Sequence, residues 1–169
     1  GTQTYAGAVT LSGGARGLTA PFVDFQSTLA GGSNDLTVSG NATFGAEASG
    51  LVDLTVTGTS SVAANVTGTG AQAFDGRVTL TGDATFTGTT GTFSGGLEGG
   101  SKALGLDFST VVTIDGSDTF SNISTLTSTG PTSLNGTINT TGLQSYASAV
   151  TLLGATDLTA SNVTFGSTV

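Results

Sequence analysis

The chain has no cysteine, histidine, methionine or tryptophan, and only two prolines and three cations in 169 residues. Without imidazole or thiol it has no histidine base, no cysteine nucleophile, no zinc site of the usual kind and no disulfide framework. Three Lys or Arg stand against eleven Asp or Glu, a formal charge of −8. So few cations cannot neutralise a phosphate backbone, and nucleic acid is not an expected partner. No apolar run approaches the ~18 residues of a membrane-spanning helix. The start of the chain lacks the basic, apolar, small-residue order of a signal peptide. No cofactor is expected, and the composition does not point to an enzyme.

Gly, Ser and Thr supply nearly half of the chain, while Leu, Ile, Val and Phe supply close to a quarter. The large apolar set is enough for a real core and excludes disorder. Thr, Val and Ile together approach a third, a bias toward strands because branching at Cβ suits a pleated surface. The stretch Ser117 to Thr129, as long as any without glycine, alternates instead of showing a helical stripe. The sequence therefore predicts an all-β chain.

An internal repeat organises it. Gly1-Thr-Gln-Thr-Tyr-Ala-Gly-Ala-Val-Thr-Leu11 aligns without gaps to Gly70-Ala-Gln-Ala-Phe-Asp-Gly-Arg-Val-Thr-Leu80 and to Gly142-Leu-Gln-Ser-Tyr-Ala-Ser-Ala-Val-Thr-Leu152. The copies begin at Gly1, Gly70 and Gly142, at nearly constant spacing. Gln3, Gln72 and Gln144 recur, as do Tyr5, Phe74 and Tyr146 two positions on. Downstream, Leu29-Ala-Gly-Gly-Ser33 matches Leu97-Glu-Gly-Gly-Ser101, and Leu51, Leu54, Val62 and Val66 return as Ile123, Leu126, Leu134 and Ile138. The units read as 1–69, 70–141 and a partial 142–169 within one continuous segment. The lack of Met and a start inside the pattern suggest a piece of a longer repetitive polypeptide.

Strand signals such as Ala8-Val-Thr-Leu11, Phe22-Val-Asp-Phe25, Leu36-Thr-Val38 and Leu54-Thr-Val56 are short and separated by glycine turns. Apolar residues at i and i+2 with Thr between put one row inward and a Thr row outward. Strands this short cannot cover a sandwich face, which takes about 5–6 residues or more. They suit a solenoid in which each strand is one side of a coil. A coil of roughly 20 to 25 residues would put about three coils in each ~70-residue unit. Pro21 and Pro131 lie beside turns, where no ladder donor is lost.

The run Gln-x-[Tyr/Phe]-x-x-x-Val-Thr-Leu, with Asn162-Val-Thr-Phe165-Gly-Ser-Thr-Val169 and the Leu-Thr-Val and Ala-Thr-Phe-Gly steps, resembles filamentous-haemagglutinin-like proteins. These are large secreted bacterial adhesins built of β-strand repeats. The resemblance implies a right-handed parallel β-helix, export across the outer membrane, and a surface-exposed fibre or adhesin shaft. The expected partners are further copies stacked end to end, or host-cell surface glycans met by other parts of the parent chain.

Six of the seven asparagines stand in Asn-x-Ser/Thr: Asn41, Asn65, Asn122, Asn135, Asn139 and Asn162. They are candidate glycosylation sites, although strand alternation by itself places Thr two positions after an outward Asn. Parallel β-helices also house enzymes that cleave polysaccharides with paired carboxylates. Asp115-Gly-Ser-Asp118 is the one close acidic pair, and it reads as a turn. Gly31-Gly-Ser-Asn-Asp35 and Gly99-Gly-Ser-Lys-Ala103 come nearest to a calcium nonapeptide, the second with Lys and Ala where an acid is needed. Thr85/Thr87, Thr125/Thr127 and similar pairs raise a carbohydrate- or ice-contacting face as an alternative function, at irregular spacing.

Overall fold

Alternating apolar and hydroxyl residues give each short strand one face to bury and two edges to pair, and coiling satisfies both. The computed structural model describes residues 1–114 and 119–169. It is an all-β parallel solenoid of about eight turns with no helix among the described residues. Among the described residues sixteen strands join in one sheet through parallel pairs. Several strands are longer than the signals that announced them, up to the 18 residues of Leu97–Ile114. The pairing runs on around shallow corners, marked by register shifts such as that between Lys102 and Leu104.

Three ladders form the sides of the coil. The first climbs from Gln3 through Val23, Ala42, Ser60 and Val78 to Leu97, Phe120, Ile138 and Leu158. The second climbs from Val9 through Leu29, Ala48, Val66, Phe86, Leu106 and Ser128 to Tyr146 and Phe165. The third runs from Arg16 through Leu36, Leu54, Gln72, Gly91, Val112 and Thr132 to Val150. Typical steps are Val23 to Ala42 and Ser60 to Val78, so most coils are shorter than the repeat led us to expect. The distance from Gln3 to Gln72 is therefore more than three coils. The ladder of Gln3 passes Val23, Ala42 and Ser60, and Gln72 falls two thirds of the way from Ser60 to Val78. Gln72 stands in the third ladder and Gln144, paired with Leu126 and Val163, in the second. The recurring motif thus comes once to each side.

The interior is one apolar cluster that includes Phe25, Phe44, Phe74, Phe86, Phe93, Phe108, Phe120 and Tyr146, all essentially sealed from solvent. The repeat governs its packing as well as its sequence. Tyr5 stacks on Phe25, Phe74 on Phe93 and Tyr146 on Phe165, with centroids 5.3, 5.3 and 5.4 Å apart and ring planes within 14°. These offset stacks add directional packing to the area each ring removes from water.

The repeated glutamine is the polar counterpart of that stack. Gln72 Nε2 donates to Val66 O at 3.0 Å and to Thr87 O at 2.6 Å. Gln144 Nε2 makes the same two bonds, to Ile138 O at 3.1 Å and Thr159 O at 3.0 Å. In both, the acceptors lie six positions before and fifteen after, on adjacent rungs, so one buried amide fastens two coils at a corner. The tyrosine two positions on completes the clamp, since Tyr146 Oη donates to Gln144 Oε1 at 3.2 Å and Tyr5 Oη to Gln3 Oε1 at 3.4 Å. The middle copy has Phe74 there, and Gln72 Oε1 is buried without a partner.

Two corners need glycine on geometric grounds. Gly32 and Ser33 have φ of 57° and 59°, and Gly100 and Ser101 have 54° and 61°. A Cβ on Gly32 would lie 2.5 Å from Leu11 O, and one on Gly100 2.7 Å from Leu80 O. Both are Gly-Gly-Ser corners pressed onto the coil below.

Candidate functional site

Short polar side chains accept from backbone N–H groups of the rung above. Asn41 Oδ1 accepts from Thr59 N, and Asn65 Oδ1 from Thr85 N, each at 2.9 Å. Asp53 Oδ1 accepts from Ala71 N at 2.7 Å and Asp83 Oδ1 from Ala103 N at 2.9 Å. Each bond spans one coil. Asn41 and Asn65 therefore hold coils together through their oxygens. Asn122 accepts from Ser101 Oγ at 3.1 Å. Asn41, Asn65, Asn122, Asn139 and Asn162 are exposed and Asn135 is half-buried. The six asparagines are spread along the length and do not converge.

Asp115 and Asp118 lie outside the described residues. The two sequences nearest a calcium loop are the Gly-Gly-Ser corners. In the first, Asn34 Nδ2 donates to Gly31 O and Gly32 O at 2.9 Å while its Oδ1 accepts from Gly14 N at 2.8 Å. Among the described residues no three Asp or Glu gather as a metal site would require. Arg77, which aligns with Ala8 and Ala149 in the other copies, is solvent-facing and meets Glu98 at 2.9 Å. Bonds from Asn122 and Ser121 and the Arg77 charge hold the Glu98 carboxyl below its usual value, against partial desolvation. These groups tie two coils.

A hollow of about 350 Å³ indents the outer surface on the second ladder. It comes from side-chain size on three successive rungs. Thr85, Gly105 and Thr127 are aligned by the ladder, and Phe86, Leu106 and Ser128 beside them point inward. One step along the rungs, Asp83 bonds to Ala103, and Ala103 precedes Leu104, which pairs with Leu126. On the far side Thr129 Oγ1 donates to Asp107 Oδ1 at 2.6 Å. The middle rung thus presents Ala103, Gly105 and Asp107 between two rungs that present Thr. The hollow is a trough along that rung. The sequence shows the small residues, but only the register brings them between hydroxyl walls.

The same register bears on the Thr pairs. Thr85/Thr87 and Thr125/Thr127 lie on one side of the coil, with the trough between them. They do not form a continuous Thr plane.

No family model matches the chain, and neither does any curated protein or solved structure. The parallel solenoid rests on its own register.

Proposed function

We propose that this chain is a stretch of the shaft of an extracellular or cell-surface β-solenoid fibre, and that its work is mechanical and not enzymatic. Continuity of the three ladders and of the core supports this reading. Each rung is bonded to the next on all three sides, so a pull along the axis loads three rows of backbone hydrogen bonds together. Eight turns at the strand spacing make a rod of about 38 Å. Secretion, the bacterial surface and the right-handed coil follow the resemblance to filamentous-haemagglutinin-like adhesins carried by the Gln-x-[Tyr/Phe] repeat.

The proposed partner is a further copy, stacked end to end, with host-cell glycans met elsewhere in the parent chain. The last rung leaves Leu152 and Leu153 52% and 57% exposed, and Tyr5, Val9 and Leu18 of the first rung pack on the core from one side. The first and last rungs of this stretch thus carry apolar side chains and strand edges that a further coil would cover, and a head-to-tail contact between copies would extend the solenoid into a filament. An ice-binding face is the weaker alternative, because the trough breaks the flat Thr row such a contact uses.

Electron microscopy of the native material, with antibody labelling of intact cells, tests the proposal. Surface-labelled rods or filaments a coil wide are expected. Globular particles, or label reached only after lysis, would overturn it.

A further inference from the structure

We propose that the trough on the second ladder is a binding site for a neutral saccharide, in this segment of the chain itself. The inference does not depend on the shaft reading, since a solenoid that never forms filaments would still carry the trough.

Shape is the first ground. Thr85 and Thr127 stand on rungs two ladder spacings apart, about 9.6 Å, with Gly105 between them. The three outward positions of the middle rung, Ala103, Gly105 and Asp107, extend it over about 13 Å. The hollow thus runs along the middle rung between two threonine-bearing rungs, and its 350 Å³ falls at the small end of the ligand-pocket range. At Gly105 the Thr85 side chain leans in from the wall, its Oγ1 and Cγ2 lying 2.5 and 2.9 Å from where a Cβ would stand, so the middle rung has no room for a side chain there and the hollow lies on the Thr127 side of it.

Chemistry is the second ground. The floor is methyl and Cα surface from Ala103 and Gly105, suited to the C–H face of a pyranose. The walls are threonine hydroxyls, which both donate and accept. Asp83 and Asp107 stand on either side, and each uses Oδ1 within the fold, on Ala103 N and on Thr129 Oγ1. Among the described residues their Oδ2 atoms have no other hydrogen-bond partner. A carboxylate is a strong acceptor for a sugar hydroxyl. The same two charges, in a chain of formal charge −8, repel uronates, sulfated sugars and phosphates. A neutral, donor-rich, ring-shaped ligand is the class that fits.

The test is titration of ¹⁵N-labelled protein with cellotetraose and mannotetraose, with tetragalacturonate and calcium chloride as contrasts. We expect saturable shifts with at least one neutral probe, confined to the rungs around residues 83–87, 103–107 and 125–129. Ala103→Gln, which lays a side chain along the trough, should weaken binding at least tenfold, about 1.4 kcal/mol. The double variant Asp83→Asn, Asp107→Asn keeps the Oδ1 acceptors and removes the charges, and should also weaken it. Melting temperatures should stay within about 2 °C of the parent. No saturable shift with either neutral probe up to about 20 mM would overturn the proposal. So would equal binding of tetragalacturonate, a response to calcium alone, or unchanged affinity in the double variant.

Discussion

Phe74→Tyr should make the protein more stable, although it adds a polar atom to a sealed core. Phe74 is fully buried, and Gln72 Oε1 beside it accepts no hydrogen bond. In the other two copies a tyrosine hydroxyl occupies that place, donating to Gln144 Oε1 at 3.2 Å and Gln3 Oε1 at 3.4 Å. The three rings are held alike, each stacked at 5.3 to 5.4 Å on the aromatic one coil above. A buried acceptor left empty costs about 1–3 kcal/mol, while a completed hydrogen bond is worth about 0.5–1.5. Allowing for the oxygen's volume beside Phe86, a net gain of about 1 kcal/mol is expected. That is a rise of about 2–4 °C in melting temperature for a chain of this size. Urea melts followed by circular dichroism suit a protein without tryptophan, and the midpoint should rise at constant slope. Tyr146→Phe should lose a similar amount. If Phe74→Tyr lowers the midpoint, or Tyr146→Phe leaves it unmoved, the clamp is not a unit and the reasoning fails.

Further outcomes can be checked with the same melts. Gly32→Ala should cost about 2 kcal/mol or more, because φ is 57° and the new Cβ meets Leu11 O. Gly7→Ala, with nothing within 4 Å of its Cβ, should stay within about 0.5 kcal/mol. Asp53→Ala should cost about 0.5–1.5 kcal/mol by leaving Ala71 N without its acceptor, and Asp53→Asn should be close to neutral. Burial pushes the Tyr146 phenol up. Its contribution is therefore complete below about pH 10, where the unfolded phenol ionises, and falls as pH rises beyond that. Tyr146→Phe should show a shallower alkaline loss than the parent, and an identical slope would refute the assignment.

The sequence and the register each hold part of the structure. Alternation alone placed Leu36, Val38, Leu54 and Val56 inward, and all four are buried. Recurrence alone identified Gln3, Gln72 and Gln144 as equivalent, and the last two make matching bonds. The direction of those glutamines was not legible, because a polar residue in an alternating strand reads as outward until its carbonyl partners are known. Nor was the coil length, since corners absorb extra residues and the step from Asn34 to Leu51 is much shorter than that from Leu97 to Phe120. The trough depends on Thr85, Gly105 and Thr127 standing on successive rungs, at two unequal separations along the chain. No local pattern records those separations. Ser60 adds a polar atom with no partner inside the core, for which the fold offers no reason.

The mismatch between repeat and coil has a mechanical consequence. The three copies of the glutamine-aromatic motif face three directions, so whatever compliance a copy has is not stacked along one side. A plywood laminate gains even stiffness in the same way, by turning the grain of each layer. Had the unit closed on a whole number of coils, each copy's weak point would align and the rod would bend preferentially one way. Here a gain or loss fixed in the repeat is spread around the axis, and resistance to bending is similar in every direction.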